Sequence, residues 1–123
     1  MLRSALLSSG GDEQVLLFGK SADLIAMSEG LKAQAVGVSR SSEVWLPQQI
    51  DLVICEPAEG MSRDGDRLTW RIAPRDALRF AELIDVLAAS NGPGHQYLDV
   101  DVASGFGIEV KISKGEYPET FQA

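Results

Sequence analysis

Arg67-Leu68-Thr69-Trp70-Arg71-Ile72-Ala73-Pro74-Arg75-Asp76-Ala77-Leu78-Arg79-Phe80-Ala81 changes period part-way along, and that change decides the fold class. In the first six residues Leu68, Trp70 and Ile72 alternate with Thr69 and Arg71, the two-residue period of a strand with one buried face. Pro74 then suits the first position of a helix. Ala77, Phe80, Ala81, Ile84, Leu87 and Ala88 follow as an apolar stripe, with Arg75, Arg79, Glu82 and Asp85 opposite. Arg79 and Glu82 are spaced to pair across one helical turn. Asn91-Gly92-Pro93-Gly94 stops the helix.

Downstream, Gln96 to Val102 alternates, with Leu98, Val100 and Val102 inward and Tyr97, Asp99 and Asp101 outward. Gly107 to Ser113 does the same, with Ile108, Val110 and Ile112 inward and Glu109 and Lys111 outward. The two runs predict an antiparallel hairpin turning at Ser104-Gly105. The tail after Gly115 is polar apart from Phe121 and is expected to be loosely held over 114–123.

Upstream, Ser4 to Ser8 and Gln14 to Phe18 predict a hairpin about Gly10-Gly11-Asp12. A helix follows from Ala22 to Ala35, with Ser21 as N-cap, Asp23 in its first turn, and Leu24, Met27 and Leu31 as its stripe. Gly30 weakens that helix by about 1 kcal/mol relative to Ala. Val36 to Ser42 reads as a loop. Glu43 to Leu46 reads as a short strand ended by Pro47, with Trp45 partly exposed. Ile50 to Cys55 is a further strand, and Glu59 to Asp66 an exposed loop.

The halves echo one another: Asp23 matches Asp76, Ile25 Leu78, Met27 Phe80 and Glu29 Glu82 at one constant offset. Both read β-α-β-β, as half-repeats over 14–57 and 67–113 of one domain. The expected fold is α+β, a mostly antiparallel sheet with two helices packed on one face.

Eighteen acidic residues against eleven basic ones give a net charge of -7, which argues against nucleic-acid binding and against anionic membrane surfaces. The apolar patch at Met1 to Leu7 is too short for a signal peptide, and no apolar run reaches membrane-spanning length, so a cytoplasmic location is expected. Cys55, the single cysteine, lies in an apolar strand and reads as a small core hydrophobe. One His and one Cys do not make a zinc site, and Asp99 with Asp101 supply too few ligands for a hard cation. His95 is the one candidate acid–base group, and it has no recognisable partner in the sequence. Gly105-Phe106-Gly107 lacks the spacing of a phosphate-binding loop. No cofactor and no catalysis are expected.

Ala77-Leu78-Arg79-Phe80-Ala81-Glu82-Leu83-Ile84-Asp85-Val86-Leu87-Ala88, then Gly94-His95-Gln96-Tyr97-Leu98-Asp99 and Gly105-Phe106-Gly107-Ile108-Glu109-Val110, resembles small α+β immunity proteins of bacterial polymorphic-toxin systems. The match covers roughly residues 68 to 113. It implies a protein that binds and blocks a toxin and performs no reaction itself. The acidic charge suits a basic partner. Tyr97, Asp99, Asp101 and Glu109 are the expected protein-binding residues. Two other readings stand beside this one: a homodimer with a structural role, paired through a sheet edge or open face, and a small enzyme or ligand-binding domain around His95.

Overall fold

The computed structural model describes residues 1–10, 12–37, 45–100, 108–118 and 120–121. Seven strands and two helices among the described residues form an α+β fold. The first hairpin joins β1 (Arg3–Ser9) to β2 (Asp12–Gly19). Helix α1 (Ser21–Ala35) and β3 (Ile50–Ile54) follow. The second hairpin joins β4 (Gly60–Asp64) to β5 (Arg67–Ile72), followed by α2 (Pro74–Ala89), β6 (Gly94–Tyr97) and β7 (Glu109–Lys114). Gly10 and Gly65 open the two hairpin turns with φ of 59° and 60°, a region that disfavours residues bearing a Cβ.

The strands fall in two sheets rather than one, ordered β1-β2-β7-β6 and β3-β5-β4. Sequence order is ββαβ in the first half and ββαββ in the second. The halves are interlocked by exchange. β3 leaves the first half to pair in parallel with β5, and β7 leaves the second to pair in parallel with β2. One further bridge, Met61 to Ile108, links the sheets.

The helix correspondence seen in the sequence recurs in three dimensions. Ile25 and Leu78 are 46% and 45% exposed, whereas Met27 and Phe80 are both fully buried. Asp23 accepts the Lys20 N–H at 3.0 Å, and Asp76 accepts the Ala73 N–H at 2.9 Å. Corresponding residues also meet where the helices pack. The Ser28 hydroxyl donates to the Ala81 carbonyl, and Lys32 Nζ lies 2.8 Å from Asp85. Both contacts join residues 53 apart in sequence, the same offset that relates Asp23 to Asp76.

Capping by these two acids replaces the predicted Ser21 cap. Ser21 lies within α1, and its hydroxyl donates instead to the Ala88 carbonyl at the end of α2. Asp76 is 7% exposed, so its bond to Ala73 is shielded from water. Asp76→Ala is expected to lose about 1 kcal/mol of stability, typical for removal of a capping oxygen. A shift in urea midpoint at constant slope would measure it.

One core runs between the sheets and helices. Trp70 stacks on Phe80, with centroids 5.5 Å apart and planes 9° from parallel. Trp45, predicted to be partly exposed, is 4% exposed and lies against Gly30, and neither it nor Leu46 is in a strand. Glu43 and Val44, the start of the expected strand, lie outside the described residues. Glu59 to Asp66, predicted as a loop, contains β4. Met61 buries its side chain there while Ser62, Arg63 and Asp64 stay exposed. β6 ends at Tyr97, earlier than the predicted strand. Cys55 is half-buried, with its thiol toward the Pro57 carbonyl. In the tail, Tyr117 and Phe121 rest against Phe18, with ring centroids 5.9 and 6.0 Å away. No helix among the described residues is long and apolar enough to cross a membrane.

Candidate functional site

The β6–β7 hairpin fixes the outward residues. Register pairs Gly94 with Lys114, His95 with Ser113, Gln96 with Ile112 and Tyr97 with Lys111. Beyond β6 the Leu98 N–H still donates to the Val110 carbonyl at 2.8 Å, which carries Asp99 alongside the start of β7. Leu98 is buried, and Tyr97, Asp99 and Glu109 are exposed. Three of the four predicted binding residues are therefore brought together at one end of the hairpin. Asp101 lies outside the described residues.

The charges at this end are unfavourably arranged. Partial burial pushes the Asp99 carboxyl above the ordinary Asp value, and the nearby Glu109 charge adds to this. The Val110 backbone and the positive charge of Arg79 oppose it. The Arg79 guanidinium is committed to the Asp99 backbone carbonyl, at 2.8 Å, and to Asp76. It does not pair with Glu82, as its spacing suggested. Glu109 accepts a hydrogen bond from the neutral Gln14 amide. Elsewhere acids have cationic partners: Asp51 with Arg67, Glu59 with Arg71, Glu13 with Arg63, Asp85 with Lys32. Among the described residues, neither Asp99 nor Glu109 has such an ion pair.

At the opposite end of the hairpin His95 does have a partner, one the sequence did not reveal. Its Nδ1 lies 3.1 and 3.2 Å from the two Glu116 carboxylate oxygens. The Ser113 hydroxyl donates to the same carboxylate at 2.6 Å. Ser113 holds the Glu116 carboxyl below its usual value; burial opposes this and His95 assists it. Stability from these contacts is therefore present above the unfolded Glu value and is lost as pH falls through the lowered folded value. The arrangement is not a nucleophile with its base. The buried Ser113 hydroxyl donates its hydrogen bond to the carboxylate rather than to the imidazole, and His95 Nδ1 lies against the same carboxylate. Glu116 follows β7 by two residues in the tail, so only the fold of the tail brings it to His95.

Comparisons with protein-family models, with curated proteins and with solved structures returned no match. Among the described residues no cluster of three or more His, Cys, Asp or Glu side chains could hold a metal ion.

Proposed function

We propose that this protein is a non-catalytic binding module that captures a basic protein partner at the Tyr97–Asp99–Glu109 end of its hairpin. The observation that carries the reading is the juxtaposition of Asp99 and Glu109. Burial and the nearby Glu109 charge raise the cost of ionising Asp99, and neither carboxylate forms an ion pair with a side chain among the described residues. A lysine or arginine from a partner removes that cost on binding. Tyr97, 45% exposed beside them, adds a rigid surface that is apolar with a polar tip, of the kind favoured at interfaces. The resemblance of residues 68–113 to immunity proteins makes an inhibitor of a basic toxin, acting in the cytoplasm, the most concrete form of this function.

The sign of the pH dependence follows. A partner's cation favours ionised Asp99, so binding releases a proton and weakens as pH falls through the raised Asp99 value. Capture of the tagged protein's partner from native lysate at low salt is expected to yield one stoichiometric basic protein, lost as salt rises. Asp99→Lys with Glu109→Lys is expected to weaken capture at least about tenfold while leaving the fold intact. Undiminished capture by the folded double variant would sink this site.

A further inference from the structure

A cavity of about 520 Å³ opens where β2 ends and α1 begins, away from Glu109 at the other end of β7. This is within the size range of small-molecule sites. Phe18 and Tyr117 supply an aromatic wall, and Arg3 and Lys114 bring positive charge. Sheet register brings both cationic residues to the end of β2: Arg3 is opposite Phe18 and Lys114 is opposite Gly19, on the two faces of the sheet.

The balance of charge is unusual for so acidic a chain. Lys114 is only 8% exposed, yet its ammonium group is held by neutral acceptors, the carbonyl and hydroxyl of Ser90. Among the described residues it has no carboxylate partner, although a buried ammonium ordinarily has one. Arg3 likewise has neither an ion pair nor a hydrogen bond among the described residues. Among the described residues the one carboxylate in the cavity wall, Asp23, is already engaged by the Lys20 N–H and by the Met1 amino group.

We propose that this cavity binds a small carboxylate with an aromatic body. The carboxylate would be held by the Arg3 guanidinium, with the buried positive charge of Lys114 adding attraction, and the ring would lie against Phe18 and Tyr117. The guanidinium fork matches a carboxylate, and the ring replaces water on an apolar wall. Asp23 disfavours a doubly charged phosphate in the same place.

The test is a titration of the isotope-labelled full chain with phenylacetate, followed by backbone amide shifts. Neutral phenylacetamide and phenyl phosphate serve as matched probes. Saturable shifts are expected at Gly19, Ser21, Gly92 and Gly115. Phenylacetamide is expected to bind at least about tenfold more weakly, because it lacks the charge-assisted bonds. Arg3→Gln, at an exposed position, is expected to keep the spectrum of the folded protein and to weaken phenylacetate similarly. Lys114→Met provides a second reading of the same loss. Absence of saturable shifts, equal binding of the amide, or undiminished binding by folded Arg3→Gln would overturn the proposal. Tighter binding of phenyl phosphate would overturn the assigned ligand class.

Discussion

Phe80→Ala is expected to cost about 3–5 kcal/mol, the usual range for deleting a fully buried aromatic ring. Phe80 has no exposed surface and lies nearly parallel to Trp70, itself 1% exposed. Removing the ring loses its own burial and also opens a void beside the Trp70 indole, on the helix that closes the second half of the core. The loss of the aromatic pair adds about 0.5–1.5 kcal/mol beyond buried area. With a typical total stability of about 5–15 kcal/mol, the variant would unfold far more readily on warming. Chemical denaturation would show it as a large fall in midpoint at unchanged slope. A loss below about 1 kcal/mol would mean that the core around Trp70 can collapse into the space left behind, contrary to the packing described.

The second large effect opposes helix propensity. Replacing a mid-helix glycine by alanine should stabilise α1 by about 1 kcal/mol if propensity were the whole account. A Cβ on Gly30, however, would stand 2.1 Å from Trp45 Cε2 and 2.4 Å from Cδ2, inside the indole ring system. Trp45 is buried, so the ring cannot swing away without disturbing its neighbours. Gly30→Ala is therefore expected to destabilise by about 1–3 kcal/mol net, through overpacking. The decisive control is the sign reversal. Trp45→Ala alone should cost about 3–5 kcal/mol. In that background Gly30→Ala should recover about 1 kcal/mol, because nothing then opposes the propensity gain. Additive losses in the double variant would show that the glycine serves some purpose other than admitting the indole.

Gly30 also shows where sequence reading gave out. From the sequence it is a weakness in a helix; only Trp45, fifteen residues further along the chain, turns it into a contact surface. The stretch from Arg67 to Ala89 was legible because its apolar residues follow one period and then the other, and both faces are decided locally. β4 was not, because one inward residue, Met61, is followed by three exposed polar ones, and an edge strand of that composition has no alternation to read. Strand exchange between the halves was also hidden. Register between β2 and β7 depends on partners far apart in the chain, and no local signal encodes it. The α+β class was legible; the division into two sheets was not.

The candidate site divides the same way. Tyr97, Asp99 and Glu109 could be read as outward from alternation alone. That Asp99 and Glu109 oppose each other depends on the Leu98–Val110 bond extending the hairpin beyond β6. Glu116 beside His95, and the cations at the end of β2, come from separate parts of the chain and are united only by the tail and the sheet.

The exchange of strands bears on how the chain is made. Gln14 of β2 and Glu109 of β7 are neighbours in the finished sheet but 95 residues apart in sequence. At a synthesis rate of about 5–20 residues per second, β2 waits roughly 5–20 s on the ribosome for the strand that will cover its second edge. Val15, Leu16 and Leu17 must pass that interval with only β1 beside them, so the first half emerges as an unfinished, aggregation-prone template. Synthesis of β7, rather than emergence of the first half, is the moment at which this fold can close.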